Sequence, residues 1–303
     1  MSSAVQRCFF DLSSRAKLRI GGSDALRFLN GQLSNDVSKS SESAAIQACI
    51  LNAKGKMNAH VFVARAENFF FMDTDSQLRE TLPTRLDRYI IADDVQLEDV
   101  AQTFSTFHCL GESPVNTLAD CRSVSAARFG EPGVDLWIET TKSGDLRQRL
   151  AAEMSFCNET EAETLRIERG IPRWGAELTE EIIPIEANLE AQTIDYEKGC
   201  YIGQEVISRM KMSGQTNKRL CGIVPMSDAS LEASMRLFPA GDEKKQCGWI
   251  SSACRSPRLG KEIALGYVKR GFNDIGSQLD AVRGDNPSSS PAVRVKVVDI
   301  PFR

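Results

Sequence analysis

The sequence has few histidines and lacks the common metal-binding spacings. It contains two histidines, His60 and His108, and nine cysteines in 303 residues. The cysteine number is odd and no two cysteines are spaced C-x-x-C, which argues against a structural zinc site. Thiols scattered through a chain of this size favour a reducing cytosol over a secreted, disulfide-bonded scaffold.

The sequence also lacks targeting and nucleotide-binding signals. No apolar run reaches about 18 residues, so we expect no membrane-spanning helix. Residues 1–11 contain neither an apolar stretch of signal-peptide length nor an Arg-rich amphipathic leader. G-x-G-x-x-G, Walker and G-x-S-x-G motifs are all missing, so nucleotide binding and serine hydrolysis have no motif support. We therefore expect a cytoplasmic protein with no membrane association.

The bulk composition is that of an ordinary globular protein, with 42% hydrophobic and 26% charged residues. The net charge of -4 argues against a general nucleic-acid binder. A chain of 303 residues is expected to form two domains, because single cores stop growing at about 250–300 residues.

The first part of the chain mixes strand and helix patterns. A helix is predicted with Ala25, Phe28 and Leu29 on one face and with Gly31 as its stop signal. Strands are predicted on either side of this helix and beyond it, at 16–20, 45–51, 59–64 and 69–71.

After about residue 215 the pattern changes to short runs of strand formers. Clusters of Gly, Ser, Pro and Asp separate these runs, and no helical periodicity accompanies them. The pattern predicts a small antiparallel barrel or sandwich. We place the domain boundary near Gly214, which gives domains at 1–214 and 215–303.

The most informative segment is KGCYIGQE, residues 198–205. Cys200 lies between Lys198 and a glycine-flanked turn, just before a predicted helix start at Gly203 and Gln204. A cationic neighbour and a helix N-terminus both favour a thiolate, so Cys200 is a candidate reactive thiol. The alternative is a small buried hydrophobic residue, which is the interpretation for the other eight cysteines.

A basic run follows at 206–219, with Arg209, Lys211, Lys218 and Arg219 and no acidic residue. Such a run is usually a solvated face. The alternative is a site for an anionic ligand such as a carboxylate tail or a phosphate. Arg209 is then the best single anchor, because a guanidinium group binds a carboxylate through two hydrogen bonds.

Three further residues each have a structural and a functional interpretation. Glu168 lies amid Arg166 and Arg169, either as an ion pair or as a carboxylate that accepts two N–H donors from a pterin-like heterocycle. His60 is either a structural histidine or an acid or base near neutral pH. Trp174 is either a core residue or a stacking platform.

Two segments resemble the YgfZ-type folate-binding proteins, which are relatives of the glycine-cleavage T-protein, a tetrahydrofolate-dependent aminomethyltransferase. They are LRIERGIPRWGAELTEEIIPIEANLE (165–190) and IDYEKGCYIGQEVISRMKMSGQTNKRL (194–220). The motif K-G-C-Y-x-G-Q-E is the hallmark of the YgfZ type. GSDA (22–25), LNAKGK (51–56) and GWISS (248–252) resemble other segments of the family.

The resemblance implies an α+β fold, with a folate-binding core of ferredoxin-like subdomains followed by a small C-terminal β-barrel. It also implies tetrahydrofolate or a derivative as the ligand. Glu168 matches the glutamate that holds the pterin ring, and Arg209 matches a cation for the folate tail more loosely. The remaining candidate folate contacts are His60, Trp174 and Tyr201.

One departure from the family pattern concerns the T-protein aspartates. A paired aspartate follows the turn in T-proteins, and the second of the pair helps folate accept the aminomethyl carbon. Counted from Asn52 and Gly55, the pair falls here on Ala59 and His60. A neutral imidazole supplies no fixed negative charge, so we expect no competent aminomethyltransferase.

The resemblance then implies an accessory protein for assembly or repair of iron–sulfur clusters in client enzymes. Cys200 is its working thiol, either as a transient cluster ligand or as a redox partner, Lys198 supports the thiolate, and no permanent metal is expected. The expected partners are folate and iron–sulfur client or assembly proteins, and we expect a monomer. The alternatives are a tetrahydrofolate-dependent aminomethyltransferase or demethylase and, less favoured, a folate-linked tRNA-modification factor that uses residues 206–219 to bind RNA.

Overall fold

The computed structural model describes residues 7–111, 120–241, 245–284 and 291–303. Within these ranges the chain forms an α+β fold that ends in a closed barrel of six strands. The helices are α1 (Ala25–Gln32), α2 (Thr81–Asp87), α3 (Ser143–Glu153), α4 (Glu159–Glu168), α5 (Glu190–Thr193) and α6 (Gln204–Ser213).

The strands before residue 160 are β1 (Cys8–Asp11), β2 (Ala16–Gly21), β3 (Ile46–Leu51), β4 (Met57–Arg65), β5 (Phe69–Thr74), β6 (Gln96–Asp99), β7 (Phe104–Leu110), β8 (Arg122–Ala126), β9 (Gly133–Glu139) and β10 (Ser155–Phe156). The later strands are β11 (Lys218–Pro225), β12 (Arg236–Pro239), β13 (Gly248–Ser256), β14 (Lys261–Lys269), β15 (Gln278–Val282) and β16 (Val293–Val298). In the part of the chain that the structure describes, no helix is both long and apolar enough to cross a membrane.

The chain divides into two compact units. Unit 1 comprises Met1–Thr160 and Ala191–Val206, and unit 2 comprises Glu161–Glu190 and Ile207–Arg303. The segment at 161–190 therefore groups with the barrel, although it precedes the barrel strands by almost thirty residues. The domain boundary near Gly214 stays a prediction.

The described residues of unit 1 form two five-stranded sheets. Their strand orders are β3-β4-β5-β2-β6 and β10-β1-β7-β9-β8. The predicted strands at 16–20, 45–51, 59–64 and 69–71 are present as β2, β3, β4 and β5. In the antiparallel pair of β3 and β4, Cys49 lies opposite His60.

Aromatic side chains join the two sheets of unit 1. Phe71 of β5 stacks on Trp137 of β9 with ring centres 5.0 Å apart. On the second sheet, Leu146 and Leu150 of α3 pack against a cluster that includes Leu136. Burial of these apolar faces is the main force that holds each sheet against its neighbour.

Unit 2 is built around the barrel, whose strand order is β11-β14-β13-β12-β15-β16. The barrel interior contains buried aliphatic side chains from different strands, such as Ile223, Leu237, Ile250 and Val297. The sequence pattern after residue 215 left a barrel and a sandwich open, and the structure is the barrel.

Helix α1 buries Ala25, Phe28 and Leu29, as its periodicity predicts. The predicted stop at Gly31 is wrong, because the helix continues to Gln32 and is followed by Leu33 in an extended conformation. Gly31 does not adopt the left-handed conformation in which glycine commonly ends a helix. A distant lysine side chain satisfies the end of this helix instead, as described below.

Candidate functional site

Cys200 is the exposed cysteine of the chain. All nine cysteines lie in described ranges and carry free thiols, and the other eight are buried or partly buried. Burial raises the pKa of six of these thiols far above the usual range for cysteine. The values are about 12 for Cys49 and Cys109, and about 11 for Cys121, Cys221, Cys247 and Cys254.

The side chain of Lys198 points away from solvent and binds the end of α1. Its Nζ donates to the backbone carbonyls of Asn30 at 2.8 Å, Leu33 at 2.6 Å and Asn35 at 2.9 Å. An ammonium group has three N–H donors, so all three are used here. Burial lowers the pKa of Lys198 to about 8. Lys198 therefore has no hydrogen left to donate to the Cys200 thiol.

Tyr201 and Gly203 lie on the C-terminal side of Cys200 in KGCYIGQE (198–205), which we call the thiol segment. The ring of Tyr201 is buried, its hydroxyl has no hydrogen-bond partner in the described structure, and burial raises its pKa to about 12. Gly203 has φ +88°, and a Cβ there would lie 2.6 Å from the carbonyl oxygen of Asn52. Only glycine fits this position without strain. A folate contact by Tyr201 stays a prediction.

The predicted helix start is confirmed, because α6 begins at Gln204. Cys200 nevertheless lies outside the helix, several residues before its first turn. Cys200 therefore does not belong to the first turn of α6, where the field of a helix is strongest. What the segment does provide is exposure of Cys200 between two anchored neighbours.

His60 lies on β4, in the same unit as Cys200. Its Nε2 is buried and has no hydrogen-bond partner within the described ranges. Burial, assisted by the nearby charges of Arg15 and Arg128, lowers the pKa of His60 to about 3. The imidazole is therefore neutral at pH 7, and the preceding residue, Ala59, is buried and apolar. This position carries no negative charge.

A buried ionic cluster lies near His60 and was not predicted from the sequence. Arg128 donates through Nε to Asp135 at 2.8 Å and through Nη1 to Asp73 at 3.0 Å. Asp135 also contacts Nδ1 of His108 at 2.7 Å. The guanidinium group lies 4.0 Å from the ring centre of Phe62, which is itself 5.4 Å from the His60 ring. The signal available in the sequence was the placement of both aspartates within otherwise buried strands.

We expect the two histidines to make the protein sensitive to mild acid. The pKa of each is lowered by burial, so between pH 5 and 6.5 the unfolded chain binds protons that the folded chain does not. Stability then falls as the pH falls below about 6.5, because unfolding takes up protons. His60→Gln should reduce this uptake by about one proton near pH 5, since the pKa of His60 is about 3 in the folded protein. Urea unfolding across this pH range measures the slope, and an unchanged slope in the variant contradicts the assignment.

In unit 2, Glu168 is the last residue of α4 and is buried. Its carboxylate accepts a hydrogen bond from the hydroxyl of Ser256 and one from Nε of Arg258 at 3.2 Å. Arg166 pairs with Glu177 at 2.9 Å instead of with Glu168. Glu168 thus connects α4 to the barrel side of its unit. Pterin binding by Glu168 stays a prediction, and it requires the ligand to share or displace Arg258.

The other two candidate residues of unit 2 are more accessible. Trp174 is partly exposed, and no ring or guanidinium group in the described ranges stacks on it. Arg209 is exposed on α6. The candidates therefore fall into two sets, with Lys198, Cys200, Tyr201 and His60 in unit 1 and Glu168, Trp174 and Arg209 in unit 2.

Two domain families match parts of this chain. Residues 4–132 match the GCVT N-terminal domain, and residues 218–302 match the glycine cleavage T-protein C-terminal barrel domain. The crystal structure of glycine cleavage system aminomethyltransferase T from Bartonella henselae superposes with a TM-score of 0.84 at 18% identity, covering 98% of this chain and 86% of that one.

Two curated relatives carry different names. The chain is 26% identical to an aminomethyltransferase of Shouchella clausii, over 97% of this chain and 85% of the relative. It is 24% identical to the mitochondrial iron-sulfur cluster assembly factor IBA57 homolog of Dictyostelium discoideum, over 76% of this chain and 65% of the relative.

Proposed function

Because the chain is built from the N-terminal domain and the C-terminal barrel domain of the glycine cleavage T-protein family, we propose that it is a tetrahydrofolate-binding accessory protein for iron–sulfur clusters. Its task is the assembly or repair of clusters in client enzymes, and Cys200 is its working thiol. The observation that carries this proposal is the exposure of Cys200 alone among nine cysteines, between neighbours that are anchored in unit 1.

The chemistry of the thiol suits handling of a cluster. Iron–sulfur clusters are held by cysteine thiolates, usually four of them. One thiol completes only part of such a ligand set, so the cluster is cargo shared with a client or donor protein. The similarity to a relative named as an iron–sulfur cluster assembly factor supports this cargo.

The folate part of the proposal depends on the accessible residues of unit 2. The partly exposed ring of Trp174, on which nothing in the described structure stacks, fits the flat face of a pterin. Arg209 is exposed, and a guanidinium group binds a carboxylate tail through paired hydrogen bonds. When bound, tetrahydrofolate supplies one-carbon chemistry.

The proposal is tested in cells that carry only Cys200→Ala. We expect the activity of a cluster-dependent enzyme to fall to the level of cells without the protein, most clearly under oxidative stress. Cys254→Ala is the matched control, since it removes a partly buried thiol and should leave activity normal. Normal client activity with Cys200→Ala would falsify the role of this thiol.

Aminomethyl transfer is the second candidate, and the similarity to a curated aminomethyltransferase over 97% of the chain favours it. His60 argues against it, because this residue stands where the T-protein aspartate is expected. Its lowered pKa makes the imidazole neutral. The two candidates separate in an assay of purified protein with tetrahydrofolate and an aminomethyl or methylamine-type donor. We expect no turnover, and folate-dependent turnover at an enzymatic rate would establish the second candidate instead.

A further inference from the structure

The segment that carries Cys200 provides the C-terminal cap of α1. The last four carbonyls of an α-helix have no partner within the helix. Here the Asn30 carbonyl accepts from Lys198 Nζ at 2.8 Å, and the Gly31 carbonyl accepts from the backbone N–H of Ile202 at 3.2 Å. The cap therefore comes from residues more than 160 positions further along the chain.

These contacts flank Cys200 on both sides. Before it, the N–H of Asp195 donates to the Ser34 carbonyl at 3.0 Å, and Lys198 binds three carbonyls. After it, Ile202 donates to Gly31. The thiol therefore sits on a short stretch of backbone fixed at both ends to α1 and the residues that follow it.

We propose that Lys198 is the positioning residue of Cys200, holding the thiol segment on the end of α1 through its three carbonyl hydrogen bonds and not serving as a charge partner of the thiolate. The proposal rests on the proposed function in one respect, that Cys200 is the working thiol. Every donor of the ammonium group is engaged with a carbonyl, so the group is oriented by α1. A cation is also favoured where the helix dipole ends in partial negative charge.

The geometry of this interaction separates lysine from arginine. A lysine ammonium directs three donors from one compact nitrogen, whereas an arginine guanidinium spreads five donors over a rigid planar fork. Arginine keeps the charge but does not direct three donors to carbonyls that converge on one point. If Lys198 acts by charge, Lys198→Arg restores function, and if it acts by positioning, Lys198→Arg fails.

The experiment compares Lys198→Arg and Lys198→Met with the unchanged protein. Hydrogen exchange at the amides of Asp195 and Ile202 should accelerate by about tenfold or more in both variants, while amides of the sheets keep their protection. The midpoint of the pH profile for Cys200 alkylation should stay unchanged in both. Client activation should fall equally in both, at temperatures where each variant remains folded.

Lys39→Met is the matched control. Lys39 pairs with Asp195 at 2.6 Å from an exposed position, so this variant removes a charge beside the thiol segment without breaking the carbonyl contacts. We expect wild-type exchange at Ile202 and wild-type client activation from Lys39→Met.

Two results overturn the proposal. One is wild-type exchange and client activation in Lys198→Arg. The other is an alkylation midpoint that rises in Lys198→Met and not in Lys198→Arg, which assigns Lys198 a charge role. If Lys198→Met does not fold, Lys198→Arg decides alone. Exchange and alkylation use purified protein, so they remain informative if Cys200→Ala shows that the proposed cellular function is wrong.

Discussion

Iodoacetamide should modify the native protein at Cys200 at least about 100-fold faster than at any other cysteine. Reagents reach Cys200 directly, whereas the other thiols are buried or partly buried. Alkylation requires the thiolate, and the pKa of about 11 for Cys254 leaves only about 0.03% thiolate at pH 7.5. Mass spectrometry of peptides from a time course gives each rate.

The same experiment contains its own controls. Native protein should lose close to one thiol equivalent rapidly, and all nine cysteines should react in denaturant. Cys200→Ser should remove the fast phase and leave the slow reactions unchanged. A fast phase that persists in Cys200→Ser shows that another cysteine is the accessible thiol, and the assignment of the site then fails.

Arg128→Met should destabilise unit 1 by about 3–5 kcal/mol at pH 7. Arg128 is buried and is shared by two buried carboxylates, those of Asp73 and Asp135. Methionine fills much of the same volume but leaves both carboxylates without their common partner. Removal of one member of a buried ion pair is costly because the remaining charge stays out of water. Urea unfolding of the purified variant measures the loss.

Arg15→Met is the comparison for this prediction. Arg15 also binds Asp73, but its side chain is 22% exposed and Asp73 keeps Arg128 in the variant. We therefore expect Arg15→Met to cost clearly less than Arg128→Met. A loss below about 1 kcal/mol for Arg128→Met contradicts the view that the cluster is held by this arginine.

Much of the fold could be predicted from local pattern. Strand patterns predicted β2 to β5, and runs of strand formers between turn residues predicted a small antiparallel barrel or sandwich. These features depend on neighbours in sequence, which is why they are readable. The end of α1 is different. Gly31 looked like a stop signal, but the helix end is satisfied by Lys198, whose position in space no local pattern reports.

Some features of the candidate site could likewise be predicted from local sequence, and others could not. The KGCYIGQE motif marked Cys200 as a candidate reactive thiol, which the structure shows to be exposed, and it predicted the start of α6. The partners of Glu168 are Ser256 and Arg258, which lie about ninety residues further along the chain. Residues close to Glu168 in sequence therefore could not predict them. Arg128 was missed for a related reason. A charged residue is normally assigned to the surface, and only the fold shows that two buried aspartates meet it.

The most direct test of the central claim is reactivation of an iron–sulfur enzyme in extracts of cells that lack this protein. Purified wild-type protein or Cys254→Ala, added with tetrahydrofolate, should restore activity to a common level. Cys200→Ala should restore none, and removal of folate should abolish the effect of the wild-type protein. Equal reactivation by Cys200→Ala and wild type contradicts the account.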